Sequence, residues 1–467
     1  SFSPASVSAH AMSGCLLWLC ALLSAAAEVP RVAVIGAGIS GGSACHYLRQ
    51  LKKNVEIVVY EASKQPGGRT LTRSFANLTI DVGGTAIYSK NKYISGFARQ
   101  FNLPPAQDDG TNDIIGIWDG QRIRIQLDTD HVWWAGAKAV LRYGLSPLRV
   151  IPAVRETVAL FDQIYALQDR NRSFESPQEM LEALRLFNLT QVTAYDYFDK
   201  LGVNDLFTQE LIDGASRCNY NQAGTLNGFT DLISLAGAGV AGHVFSLANG
   251  TQDISRALLG SCAATLRLNE RVTEIQAEQQ GYAVLSHGKQ SRKEHFQGII
   301  VAAPLELANI KLPKGAAKFA GHGREYQTTD VTFVHGQLNT SYFGLSLKRL
   351  PAQLLTPEAS ASPFTSFSIH KVFPDDSVVV KMFSRFELGD VAVGQIFAKV
   401  FDVYRYTWKA YPKLQPLPPE QWASFRLDSR GLLYTSGLET SASAMEVAAI
   451  AGRNGALLMK EALARQA

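Results

Sequence analysis

Apolar and polar positions along the chain fall into a few clear periods. Four apolar residues, Val32 to Ile35, form a buried-strand pattern (31–35) that runs straight into Gly36-Ala37-Gly38-Ile39-Ser40-Gly41-Gly42. A helical pattern begins near Ser40. Val55 to Tyr60 reads as a second strand and ends on Glu61. Leu268 to Ile275 and Val331 to Leu338 alternate as strands, and Gly298 to Leu305 is a fully apolar strand stopped by Pro304. Leu432 to Glu439 reads as strand and turn, and Ser441 to Leu458 as a helix with small residues on one face. Trp133 to Val154 is apolar but interrupted by Lys138, Arg142 and Arg149, so no membrane span is expected there. Those cations could lie on a membrane surface, and an amphipathic helix packed on its own protein is the preferred reading.

The first strand, glycine turn and second strand form one chemical unit. Gly36, Gly38 and Gly41 have G-x-G-x-x-G spacing, which permits a tight turn and lets a pyrophosphate approach the helix N-terminus. Glu61 lies twenty residues after Gly41, where a carboxylate accepts ribose hydroxyls. The backbone of Ile39 and Ser40 completes this turn. The expected fold class is α/β, with a Rossmann-type nucleotide-binding domain.

Composition adds bounds. The chain has 467 residues, 46% hydrophobic and 18% charged, which is globular and large enough for two or three lobes. A net charge of +4 without a long basic run gives no reason to invoke nucleic acid. The apolar run from Leu16, ending in Ala25-Ala26-Ala27, has signal-peptide grammar, so 1–27 is read as a leader. Sequons at Asn77, Asn171, Asn188, Asn249 and Asn339 agree with secretory entry. Beyond the leader the cysteines are Cys45, Cys218 and Cys262, too few for a disulfide framework. Cys45 reads as a small buried residue, and a Cys218–Cys262 pair stays open.

The residues after Glu61 narrow the cofactor. Glu61 continues into Gly67-Gly68-Arg69, and Asp81-Val-Gly-Gly-Thr85 follows with Gly83, Gly84 and Thr85. This extended pattern resembles the fingerprint of FAD oxidases of the amine-oxidase type. That resemblance implies an FAD domain of the amine-oxidase/glutathione-reductase type, made discontinuously from 28–95, 250–310 and 421–467. A mixed α+β substrate domain would come from 96–249 and 311–420. It also implies that the Val272 backbone holds adenine and that the last helix lies under the flavin, with Gly437, Glu439 and Met445 near the cofactor. FAD is expected to be non-covalent, and no metal is expected.

Five further segments are more specific: Asn219-Tyr-Asn-Gln-Ala223, Leu232 to Gly239, Phe333 to Gly344, Trp408-Lys-Ala-Tyr-Pro412 and Gly437 to Glu446. With Ile115 to Gly120 and Arg142 to Arg149, they resemble the prenylcysteine oxidase (farnesylcysteine lyase) family. The resemblance implies oxidative cleavage of the thioether of farnesylcysteine or geranylgeranylcysteine to cysteine, prenyl aldehyde and hydrogen peroxide, with dioxygen as oxidant. It also implies work in prenylated-protein degradation, in a lysosome or vacuole or after secretion. His335 is a candidate for activating water or oxygen, Tyr220 for lining the substrate channel, and Ile233, Leu235 and Phe343 for its apolar walls. Two departures stand out: Tyr220-Asn-Gln-Ala223, and Phe245 to Thr251, where a double glycine that would approach the cofactor is reduced to Asn249-Gly250. Two alternatives therefore stay open: an amine or polyamine oxidase on the same fold, and a weakly active FAD-binding lipid-interaction protein. Peripheral membrane contact is compatible with a lipid substrate, and the oligomeric state is not set by the sequence.

Overall fold

The computed structural model describes residues 29–107, 111–240, 242–321 and 323–466; the leader expected over 1–27 lies outside them. Five parallel strands form one sheet in the order Leu432–Tyr434, Gly298–Val301, Arg31–Ile35, Glu56–Tyr60, Thr265–Arg267. The strands are apolar throughout because both faces are covered. On one face Ala33, Ile35, Val58, Tyr60, Ile299 and Val301 pack with Val272, Ile275, Tyr282 and Phe296 of a three-stranded antiparallel sheet. On the other, Val32, Val34, Ile57, Val59, Ile300 and Leu433 meet the glycine helix Ile39–Leu51 and the C-terminal helix Met445–Gln466.

These two helices meet almost backbone to backbone. A Cβ on Gly452 would lie 2.3 Å from the Ser40 carbonyl oxygen, and the Ser43 hydroxyl donates to the Ala449 carbonyl at 2.7 Å. The C-terminal helix starts at Met445, four residues later than its small-residue pattern predicts. Thr435–Thr440 forms a 3₁₀ turn first, and Ser441 closes back on the Leu438 carbonyl. The cysteine pairing also differs from expectation. Cys45 is bonded to Cys262, joining the glycine helix to the end of the helix Gln252–Ser261, and Cys218 is free. The pair is 217 residues apart in sequence, so only the packing of the two helices brings it together.

The second sheet has seven strands, in the order Phe397–Pro412, Tyr326–Leu338, Val378–Ser384, Ser366–Val372, Gln353–Leu355, Ile114–Trp118, Ile123–Asp128. All neighbours are antiparallel except Gln353–Leu355 with Ile114–Trp118. Period-two alternation divides its side chains. Val334, Val380, Met382, Phe367 and Trp118 form a core on one face. Val331, Phe333 and Val379 pack on the other against Phe75, Ile80 and Val82, within or just after the hairpin Thr72–Phe75/Leu78–Asp81.

A helical layer between residues 132 and 237 covers the end of this sheet around Tyr143, Val154, Phe198, Tyr220 and Leu232. Here the amphipathic stretch divides in two. Helix Val132–Tyr143 stops at Gly144 (φ +61°), and helix Ser146–Phe161 starts anew with Pro147 in its first turn. The second packs on the protein as expected, burying Val150, Ala153 and Val154, whereas the first does so only through Ala139 and Tyr143. Among the described residues no helix is long and apolar enough to cross a membrane.

Candidate active site

The glycine turn presents a ready anion site. Gly36 has φ +108°, and a Cβ on Gly41 would stand 1.9 Å from the Gly36 carbonyl oxygen, so both positions need glycine. Gly38 caps the helix without a side-chain bond, and no acid occupies the first turn. The N–H groups that follow, from Ile39 and Ser40, are thus free of side-chain caps at the positive end of the helix dipole. Glu61 is fixed beside them: it accepts from the Ala37 N–H at 3.0 Å and from the Ser63 N–H and hydroxyl at 2.8 and 2.7 Å. The Glu270 N–H donates to the Glu61 carbonyl, which brings the start of the strand Arg271–Ala277, with Val272, alongside.

A second pair of glycines closes against the first. Gly67 and Gly68 have φ +127° and +56°, and a Cβ on Gly38 would be 3.7 Å from the Gly67 carbonyl oxygen. Arg69 then turns inward. Its guanidinium pairs with Glu439 and donates to the Ala410 carbonyl at 3.2 Å, and Tyr326 donates to Glu439 at 3.2 Å. A Cβ on Gly84 would come within 3.9 Å of the Met445 sulfur, and one on Gly437 within 3.0 Å of the Ala423 carbonyl oxygen. A small cleft where the start of the glycine helix meets the turn before the C-terminal helix is lined by Ser40, Thr435, Ser436, Glu439 and Val447.

The altered 245–251 segment ties these loops together instead of lining them. Gly250 has φ +82°, and a Cβ there would press on Thr72 and Asp81. The Thr251 N–H donates to Asp81 at 3.0 Å and its hydroxyl to the Gly84 carbonyl at 2.6 Å. Asn249 is exposed. Within the Asn249-Gly250 pair the position that requires glycine has kept it, and Asn249 lies on the outside.

Beyond the loops lies a group that sequence reasoning missed. Lys381, in the middle of the strand Val378–Ser384, donates to the Asp81 carbonyl (2.8 Å), the Gly83 carbonyl (3.2 Å) and the Thr85 hydroxyl (3.2 Å). Its ammonium lies 4.7 Å from the Phe383 ring centre. Burial pulls the ammonium down to about 8, opposed by the nearby Asp81 carboxylate. Trp408 lies on the same face, and a Cβ on Gly83 would strike its ring at 2.1 Å. The signal was available: a lysine inside Val-Val-Val-Lys-Met-Phe (378–383) has to end against polar groups.

Among the earlier candidates, Tyr220 is brought to this region and His335 is not. Tyr220 is buried edge-on to Tyr411, with ring centres 5.4 Å apart, one residue beyond the carbonyl that Arg69 binds. Asn221, which departs from the family pattern, is left-handed (φ +56°) and donates to the Ser384 carbonyl at 3.0 Å, so it anchors this helix end to the sheet. His335 lies farther along its strand, between Phe373 and Phe401, with Ser377 at 3.4 Å. Of the proposed apolar walls, Leu235 shares the Tyr220 cluster, while Phe343 belongs to the core on the opposite face of the sheet. Cys218 and His370 lie within electrostatic reach of Lys381 and Tyr411 within that of Cys218, and all three are half-buried. Burial pushes the Cys218 thiol up and pulls the His370 imidazole down to about 3.

Two buried donors near these loops, Gln65 Nε2 and Trp408 Nε1, have no acceptor among the described residues. An extended ligand rich in acceptors fits that donor set: phosphates at the glycine helix, a ribose at Glu61 and a carbonyl-bearing ring system near Gly83 and Trp408. A flavin nucleotide meets this description.

Comparisons with known proteins agree. Residues 34–101 match the model of the NAD(P)-binding Rossmann-like domain, and residues 126–467 match that of prenylcysteine lyase. The farnesylcysteine lyase of Arabidopsis thaliana is 32% identical over 449 residues, covering 92% of this chain and 87% of that protein. Prenylcysteine oxidase 1 of Mus musculus is 28% identical, covering 96% of this chain and 94% of its own. Cyclohexylamine oxidase from Brevibacterium oxydans IH-35A superposes with a TM-score of 0.65 at 16% identity, over 93% of this chain and all (100%) of that one. Putrescine oxidase bound to putrescine gives 0.58 at 15%, covering 91% and 98%. These two structural likenesses bear on the fold alone. From the two matched relatives and the match over 126–467, the chain belongs to the prenylcysteine lyase family.

Proposed function

We propose that this chain is an FAD-dependent thioether oxidase that cleaves prenylcysteines to cysteine, a prenyl aldehyde and hydrogen peroxide. Family membership supplies the reaction class. The observation that carries the choice of substrate is the charge of the inner site. Arg69 and Lys381 place two cations against the cofactor loops, and the acids beside them are committed: Glu439 to Arg69 and Tyr326, Asp81 to Thr72 and Thr251. Both acids beside the loops are engaged, so the ammonium of a simple amine finds no uncommitted carboxylate there, whereas the neutral thioether needs none. This weighs against the amine or polyamine oxidase reading.

When bound, FAD supplies the hydride acceptor for the carbon beside sulfur and passes the electrons to dioxygen. The protein's residues hold that carbon within about 3–3.5 Å of its acceptor. They also keep water sparse and present apolar walls to the isoprenoid, each buried CH₂ contributing about 0.8 kcal/mol. The cluster from Tyr143 through Leu232 and Leu235 to Tyr220 and Tyr411 provides such walls. Water then adds to the oxidised carbon, and the hemithioacetal collapses to thiol and aldehyde.

FAD is held without a covalent link in this reading: Cys45 and Cys262 are bonded to each other, and Cys218 accepts from the Gln353 amide at 3.6 Å. Acid precipitation should release the flavin into the supernatant. The disulfide and the exposed sequons Asn77, Asn171 and Asn188 support a secretory route toward a lysosome or vacuole.

The decisive experiment is the visible spectrum of the purified protein without oxygen, before and after farnesylcysteine. Bleaching of a flavin band, restored by air with peroxide release, is expected. Bleaching by putrescine instead would move the chain to the amine oxidases. A flavin band indifferent to both would favour the lipid-interaction reading.

A further inference from the structure

The helix Val132–Tyr143 is built inside out. Trp133, Ala137 and Leu141, at i, i+4 and i+8, form an outward stripe in which Trp133 is 93% and Leu141 89% exposed. Trp134, at 71%, and Val140 widen the stripe, and Leu145 and Leu148 extend it past Gly144. Seven of the seventeen exposed large apolar side chains among the described residues lie within 132–148. An apolar patch of this density marks an interaction surface.

Charge selects its occupant. Between His131 and Arg149 there is no acidic residue; Arg142 is paired with Glu210 beneath the helix, and Lys138 and Arg149 are the exposed cations, with Asp130 at the helix entry. Two tryptophans beside the exposed cations Lys138 and Arg149 match the headgroup boundary of an anionic bilayer, where indoles settle and lysines meet phosphates. At twelve residues the helix is too short to cross a bilayer and long enough to lie on one. Its underside is continuous with the interior: Ala139 and Tyr143 belong to the apolar cluster that contains Tyr220 and reaches Tyr411.

We propose that this surface docks the protein on anionic membranes, with helix Val132–Tyr143 lying in the headgroup layer and Trp133, Trp134 and Leu141 inserted. The docking is independent of the reaction proposed above, but it puts the apolar cluster leading to the inner site against the bilayer, from which a lipidic substrate would enter.

Flotation with phosphatidylcholine vesicles, with and without phosphatidylserine, tests the proposal on the full-length purified protein. Binding is expected only with phosphatidylserine, accompanied by a blue shift of tryptophan emission and quenching by brominated acyl chains. The W133E/L141E double variant should lose binding by about a hundredfold, because two charges enter the apolar layer. K138E should lose about fivefold and show a weaker dependence on phosphatidylserine. Both should keep the wild-type melting temperature, since the replaced side chains project into solvent. Two results overturn the proposal. One is a protein that does not float with phosphatidylserine vesicles. The other is a vesicle-free dimer, seen by light scattering, that W133E/L141E dissolves, which would make the face a contact between two copies of this chain.

Discussion

The two sheets serve the site in opposite ways. The parallel sheet offers backbone: Gly36, Gly38, Gly41, Gly67 and Gly68 bring bare main chain together, with Glu61 as the main side-chain contributor. The seven-stranded sheet offers side chains: Lys381, Trp408 and Phe383 come from two strands and converge on the loop 81–85. A backbone site has no tolerance for added atoms, whereas a side-chain site tolerates changes of shape and is sensitive to charge. The nucleotide half is therefore conserved in geometry by sterics, and the substrate half is tuned by electrostatics.

The largest expected effect breaks the first half of this comparison. Gly41→Val places atoms on the Gly36 carbonyl and should cost about 3 kcal/mol or more, with loss of flavin absorbance in the purified protein. Lys381→Met tests the second half. Replacing the charge by an apolar side chain of similar length should leave the fold and flavin content intact and lower turnover about a hundredfold. Its stability should also lose a pH dependence. Lys381 is held at about 8, below its ordinary 10.5, so the folded chain binds fewer protons than the unfolded chain between those values. Wild-type stability should rise with pH through that window, and the rise should be smaller in the variant.

Glu446 supplies the opposite slope. Its carboxylate accepts from the Tyr93 and Ile94 N–H groups at 2.8 and 2.9 Å and from the Tyr165 hydroxyl at 2.8 Å, and burial raises it to about 7. The folded chain thus holds an extra proton between 4.5 and about 7, so stability should fall as pH rises through that range. Glu446→Gln should flatten this decline while costing about 1–3 kcal/mol, because one backbone donor loses its acceptor. Thermal melts across pH separate the two slopes. His335→Ala should have the smallest effect, with turnover changed less than about twofold, because its ring packs on Phe373 and Phe401 away from Lys381.

The same contrast explains what could be read from the sequence. Gly36, Gly38, Gly41 and Glu61 were legible because their chemistry depends on spacing within one strand–turn–helix–strand unit. Lys381 stands out only as a charge inside an apolar strand; its role is not legible, because its partners lie some three hundred residues away, at Asp81 and Gly83. His335 rests on its strand-like run and on the basic residue that the resembling family carries there, and neither gives its distance along the strand from the site. Cys45 was assigned to a buried position, and the bond to Cys262 depends on how two helices pack. The break at Gly144 was visible in the sequence as Gly-Leu-Ser-Pro, but the outward turn of Trp133 and Leu141 was not. Periodicity shows that a helix has an apolar side and leaves open which way that side faces.

The order of strands in the parallel sheet also sets a timetable for synthesis. Arg31–Ile35 emerges early but waits for its neighbour Gly298–Val301, which in turn waits for Leu432–Tyr434, and the glycine helix is covered only when Met445–Gln466 arrives. For most of translation the nascent chain carries an unpaired strand edge and a bare helix face, surfaces that invite aggregation until they are covered. The nucleotide cradle therefore closes only once the stretch Met445–Gln466 has been made, so nucleotide capture comes after nearly all of 31–466.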